Sequence, residues 1–234
     1  MKGREWYQED ETAEEYDEWR FSRGGELVDR REKQALLELV GDIEIKSVLE
    51  IACGTGRFTI ELMKKGAHVT GVDISQPMIR QGVKKAKREG IDGEVDFIRG
   101  DAKRLPFPDN SFDLVVAMRF FHLVDEPSEY LREMARVSRS VVAFDTFSQS
   151  STRRVYNRFL PMGSHLYSDD DVEEFVAKAG LKLQDRHDDF FFPFGLYRVT
   201  PRTVAEGIRG IDDTLQEKVG EKFCSVSYWM AESE

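Results

Sequence analysis

Three acidic residues stand where an apolar run passes into a turn: Glu50 in SVLEIACGTGRFT, Asp73 in HVTGVDIS and Asp101 in VDFIRGDAKRLPF. A carboxylate at the end of a buried strand is costly unless it is hydrogen-bonded or meets a cation. Three of them point to a ligand rich in donors or positive charge. Glu50 is followed by Gly54 and Gly56, and two glycines in a strand-to-helix turn let a ligand approach the backbone closely. His122 in RFFHLV is the best candidate for a proton acceptor. Its other reading is a packed residue that orders the loop beside Phe120 and Phe121.

The elements around these residues alternate. Strands are expected over 47–52, 68–73, 95–101, 113–118 and 140–147, with helices over 56–66, 76–90 and 126–138 between them. Pro77 marks a first helical turn, and Gly66 and Gly90 mark helix ends. Strands separated by helices imply parallel pairing with helices on both faces of one sheet. The two prolines and Asp-Asn-Ser of LPFPDNSFD (105–113) make that stretch a loop. Beyond residue 148 the rhythm changes. An irregular cationic stretch precedes a helix over 168–180, with Ser168 as its N-cap. A strand follows from 181, then a helix from near Pro201 and a last strand over 222–231, so the late helix reads as an insertion or cover before that strand.

A chain of 234 residues is long enough for one α/β domain with a sizeable core. The formal net charge of −10 disfavours a general nucleic-acid binder, because phosphate contact needs a basic surface. The only cysteines, Cys53 and Cys224, share no metal-like spacing, and no His and carboxylate pair does either, so no metal is expected. The longest apolar patch, FFFPFGLY at 190–197, is far short of the ~20 residues of a membrane span. The N-terminus lacks the apolar stretch of a signal peptide. A cytoplasmic protein, monomeric or homodimeric, is the expectation.

Two nucleotide-type readings compete for the glycine turn. A dinucleotide fingerprint requires a third small residue, and Thr59 stands in its place. The pattern Glu50-x-Ala52-x-Gly54-x-Gly56 instead resembles the first motif of class I S-adenosylmethionine-dependent methyltransferases, with Ala52 replacing the first of three alternating glycines. The resemblance runs well over residues 45–147 and loosely beyond. It implies a doubly wound, mostly parallel seven-stranded α/β sheet, of the Rossmann-like methyltransferase type. It also implies S-adenosyl-L-methionine as cofactor, with S-adenosyl-L-homocysteine as product. Glu50 would help hold the cationic methionine moiety, and Ala52, Cys53, Gly54 and Gly56 would let the cofactor lie against the turn. Asp73 would grip both ribose hydroxyls, while Ile74 and Met78 flank the adenine. Asp101 would accept from the adenine amino group beside the amide of Ala102, and main-chain groups at Met118 and Arg119 would face the methionine end.

The same resemblance divides the chain into an N-terminal helical lid (1–45), a cofactor-binding core (46–147) and acceptor-side and cover elements (148–234). In the lid, Tyr16, Trp19, Arg20 and Phe21 would meet the methionine carboxylate or the acceptor, or pack as a surface helix. The aromatic residues Phe190, Phe191, Phe192, Phe194 and Tyr197 either build core or line an apolar acceptor pocket with Phe120, Phe121, Tyr156 and Phe159. Arg153, Arg154 and Arg158 would attract an anionic acceptor or form a solvated face. The function implied is in-line methyl transfer to a small hydrophobic or anionic acceptor, in a group similar to the ubiquinone/menaquinone-biosynthesis C-methyltransferases. The alternatives are methylation of tRNA or protein, or a catalytically silent cofactor-binding partner subunit.

Overall fold

The computed structural model describes residues 7–41, 43–91, 93, 95–159 and 164–233, with side chains at all of these except 156, 158 and 159. The apolar run around Glu50 forms β1 (Ser47–Ile51), in which Val48, Leu49 and Ile51 are all buried, as a strand covered on both faces requires. The glycine turn leads into α3 (Arg57–Lys64), and the alternation continues through β2 (His68–Asp73), α4 (Gln76–Arg88), β3 (Val95–Arg99), β4 (Phe112–Ala117), α5 (Pro127–Val137) and β5 (Ser138–Phe147). Ser75 caps α4 by accepting from Met78 N at 3.2 Å.

The sheet has seven strands in the order β3-β2-β1-β4-β5-β7-β6, completed by β6 (Leu181–Asp189) and β7 (Val226–Ser233). The first five strands are parallel, whereas β7 runs antiparallel to both β5 and β6. This is the doubly wound, mostly parallel sheet expected. Chain order reverses between β1 and β4, so a crevice opens outside the carboxyl ends of these strands, where such sheets bind ligands. Register pairs Glu50 with Gly71 on one side and Val116 on the other, which brings the ends of β1, β2 and β4 level.

Several expectations shift. The N-terminal segment forms two helices, α1 (Asp10–Phe21) and α2 (Gly25–Val40). The break falls at Gly24, where a Cβ would stand 2.1 Å from Tyr197 O and 2.7 Å from Ala205 Cβ. α2 buries Leu27, Val28, Ala35, Leu36, Leu39 and Val40 at helical spacing, and Glu32 lies in the same buried stripe. A short helix, α6 (Arg153–Phe159), occupies part of the stretch read as irregular. α7 (Asp169–Lys178) starts on the expected Ser168, which with Asp171 makes a capping box. The aromatic run is not a continuing strand: Pro193 starts the helix α8 (Phe194–Val199). α9 (Arg202–Val219) follows, and residues 221–223 make a 3-10 turn, so the last strand begins later than expected. Among the described residues, no helix is long and apolar enough to cross a membrane.

Candidate active site

The turn after β1 is held by Cys53 N donating to Val72 O (3.1 Å) and Gly56 N donating to Cys53 O (2.9 Å). Its two glycines do different work. A Cβ on Gly54 (φ 56°) would meet nothing within 4 Å, so the turn faces open space there. A Cβ on Gly56 (φ 73°) would stand 2.6 Å from Phe97 Cζ, so that glycine is demanded by packing. Ala52 also has a left-handed backbone, φ 53°, where glycine is the unstrained residue. Ala52→Gly is therefore expected to raise stability by up to ~1 kcal/mol, the strain relieved less the entropy returned to the unfolded chain. Urea denaturation checks it, and a loss of stability would contradict it.

Asp73 ends β2 beside this turn. Its Oδ2 accepts from Gly54 N (2.8 Å) and its Oδ1 from Ser75 N (2.7 Å), which fixes the carboxylate and leaves each oxygen a further lone pair. Burial pushes its pKa up, against the lowering by those backbone amides. Glu50 is buried and accepts from the Thr59 hydroxyl. Burial pushes Glu50 up to about 7, with Thr59 and Arg57 pulling it down and Asp73 adding to the rise. Asp101 follows β3, is exposed, and accepts from Lys103 N (3.0 Å).

At the end of β4, Arg119 carries φ 62° and its N–H donates to the Asp145 carboxylate. Its guanidinium carbon lies 4.4 Å from the ring centres of both Phe147 and Phe194. Glu32 meets it at 3.3 Å, and the other oxygen of Glu32 holds Arg57 at 2.6 Å. Asp29 completes the Arg57 pairing at 2.6 Å.

One cavity collects these groups at the carboxyl ends of β1 to β4. Every residue expected at the cofactor lines it except Gly56: Tyr16 and Arg20 from α1; Glu50, Ala52, Cys53 and Gly54 from the β1 turn; Asp73, Ile74 and Met78 after β2; Asp101 and Ala102 after β3; Met118 and Arg119 after β4. α1 is fastened over it. The Thr55 hydroxyl donates to Asp17 (2.6 Å), the Ser75 hydroxyl donates to Tyr7 O (2.6 Å), and Lys85 pairs with Asp17 at 2.5 Å.

The remaining candidates lie elsewhere. His122 is buried in the 3-10 turn 121–123, off the cavity wall, with its ring 4.8 Å from that of Phe147. Burial first, and then the guanidiniums of Arg119, Arg20, Arg153 and Arg198, push its pKa well below the ordinary histidine range. Trp19 is 56% exposed, and Phe21 lies under the Arg57 guanidinium instead of lining the cavity. Phe120 is on the wall, whereas Phe121, Phe190, Phe194 and Tyr197 are core. Arg154 is exposed. The side chains of Tyr156, Arg158 and Phe159 fall outside the described residues. Sequence reasoning missed Tyr7, Arg57 and Glu32. For Glu32 the signal was present: an acid inside the apolar helical stripe of α2.

Comparison with known proteins places the fold and the family. The model of the family described as "Methyltransferase domain" matches residues 49–142. The ubiquinone/menaquinone biosynthesis C-methyltransferase UbiE of Azotobacter vinelandii is 31% identical over 191 residues, 75% of this chain and 76% of that protein. An S-adenosylmethionine-dependent methyltransferase of Thermotoga maritima, described as a possible histamine N-methyltransferase, superposes with a TM-score of 0.66 at 20% identity. That match covers 98% of this chain and 99% of the other. Geranyl diphosphate C-methyltransferase of Streptomyces coelicolor A3(2) gives 0.67 at 15% identity over 89% and 80%. The chain belongs to the class I S-adenosylmethionine-dependent methyltransferases, and S-adenosylmethionine is its cofactor. Within that class it is similar to the ubiquinone/menaquinone C-methyltransferases.

The residues present fit that cofactor. Strand-end carboxylates with spare lone pairs suit hydroxyl and amino donors, and the open space over Gly54 admits a ligand against the backbone. Arg20 is 6% exposed and has no carboxylate or hydrogen-bond partner among the described residues, which suits it to a methionine carboxylate.

Proposed function

We propose that the chain transfers a methyl group to a small, hydrophobic or anionic acceptor by in-line displacement. The observation that carries this reading is the single cavity lined by Glu50, Asp73 and Asp101 at one end, with its wall continuing past Met118 and Arg119 to the apolar Phe120, Leu123 and Val124. When bound, S-adenosylmethionine supplies a methyl on a sulfonium. Asp73, Asp101 and the main chain at 118–119 would hold that sulfonium as its methyl passes to the acceptor's electron pair, the electrons of the S–C bond staying on sulfur and the acceptor's proton leaving to solvent.

The chain's own work is binding, alignment and exclusion of water. Asp73 holds the ribose end, Asp101 and Ala102 with Ile74 and Met78 hold the adenine end, and Tyr16, Arg20 and the main chain at 118–119 hold the methionine end. α1 acts as the lid, tied down through Asp17 to Thr55 and Lys85. No proton is assigned to His122, because a weakly basic imidazole off the wall suits packing against Phe147 better than general-base catalysis.

Glu50 gives the reading a pH signature. A carboxyl with a pKa of about 7 is neutral below that pH, and a neutral carboxyl does not attract a cation. Affinity for S-adenosylmethionine is expected to fall as pH drops below about 7, approaching tenfold per pH unit, and Glu50→Gln should flatten that profile. Calorimetric titration across pH 5.5–8.5 checks it, and an identical slope in wild type and Glu50→Gln would contradict it. The acceptor class is tested by labelled-methyl transfer into cell extract. Label is expected in an extractable small-molecule fraction, and label retained only in precipitated protein or RNA would contradict the proposal.

A further inference from the structure

Three guanidiniums crowd the buried Phe147–Phe194 rings, and one of them, Arg119, also lines the cavity. Arg119 lies 4.4 Å from both ring centres, Arg153 lies 3.5 Å from Phe147, and Arg198 lies 5.7 Å from Phe194. Arg20 is buried on the adjoining wall. Ring faces attract cations, but only by about 0.5–2 kcal/mol each. Among the described residues, two carboxylates meet Arg119. Glu32 is shared between Arg57 and Arg119, and Asp145 is engaged by the Arg119 backbone N–H. The Arg119 side chain is 9% exposed, and among the described residues its Nε and Nη1 have no hydrogen-bond partner, Nη1 meeting Glu32 only as an ion pair; neither have Nε and Nη2 of Arg198, all four atoms being buried. The Arg198 pair is the side-on fork that matches two oxygens of one oxyanion.

Buried guanidinium N–H groups left without an acceptor are costly, so those of Arg119 and Arg198 call for an anion that arrives from outside. The cofactor does not supply it, since the methionine carboxylate comes with its own ammonium and has Arg20 to meet. We infer that the methyl acceptor is an acid, held by a carboxylate or phosphate group on Arg119 and Arg198 over the Phe147–Phe194 rings. This rests on the methyltransferase reading, and the apolar wall at Phe120, Leu123 and Val124 receives the rest of the molecule.

The test is calorimetric titration of the full chain, first with S-adenosylhomocysteine and then, in its presence, with benzoate, phenyl phosphate and the neutral benzamide. At least one anion is expected to bind tenfold or more tighter than benzamide, and the tighter one tells carboxylate from phosphate. Arg198→Met should abolish that preference, keep S-adenosylhomocysteine affinity within twofold and raise the melting temperature of the ligand-free chain. A residue with a merely structural role would lower it. Equal binding of all three probes to the wild type would overturn the inference without recourse to any variant, as would an unchanged preference in a folded Arg198→Met. Anion preference without any binding of S-adenosylhomocysteine would support the oxyanion site and overturn the cofactor reading instead.

Discussion

Asp73→Ala is expected to weaken S-adenosylmethionine binding at least a hundredfold. Two effects combine. Hydrogen bonds to a charged carboxylate contribute about 1.5–3 kcal/mol each, and the ribose offers two hydroxyls side by side. The same carboxylate also holds Gly54 N at 2.8 Å and Ser75 N at 2.7 Å, so its removal loosens the turn that opens the cavity. Asp73→Asn keeps an acceptor oxygen but loses the charge, and about a tenfold loss is expected. Calorimetry reads the affinities, and far-UV circular dichroism shows whether the fold is retained. Unchanged affinity in a folded Asp73→Ala would refute the ribose assignment.

Glu32→Ala is expected to destabilise the fold more than any of the other substitutions, by about 3–5 kcal/mol, the range for breaking a buried ion pair from one side. Glu32 is fully buried and holds Arg57 at 2.6 Å and Arg119 at 3.3 Å. Burial alone would raise its pKa, yet Arg57, Arg119, Arg198 and Arg20 together hold its carboxyl below the ordinary range. Removal leaves Arg57 with Asp29 alone and deprives Arg119 of its carboxylate. For a domain of this size the melting temperature should fall by roughly 10 °C. Arg198→Met should move it the other way, because that residue adds to the charge Glu32 offsets. A shift of under 2 °C in Glu32→Ala would contradict the picture of a cationic cluster tied down by one acid.

The site was legible where local rules decide position. Apolar runs ending in Glu50, Asp73 and Asp101 had to be strand ends, and parallel pairing brings such ends to one edge of a sheet. The glycine turn was legible for the same reason, although Gly56 serves Phe97 and not the cavity. What escaped depends on long-range contact. Gly24 breaks the N-terminal helix because of Tyr197 and Ala205, far along the chain. Arg119 was expected to offer only main chain, and its guanidinium matters because Phe147 and Phe194 fold beneath it. Arg198 drew no notice, because its stretch reads as an aromatic strand until Pro193 turns it into a helix. His122 reads in sequence as a base or a packing residue, and its burial against Phe147 is a contact that only the fold brings about.

The most direct measurement is a pair of calorimetric titrations of the wild-type chain with S-adenosylmethionine and with NAD. Strand-tip acids around a tight bend should take the sulfonium nucleoside at one site per chain and leave the dinucleotide unbound. NAD binding the tighter of the two would contradict it.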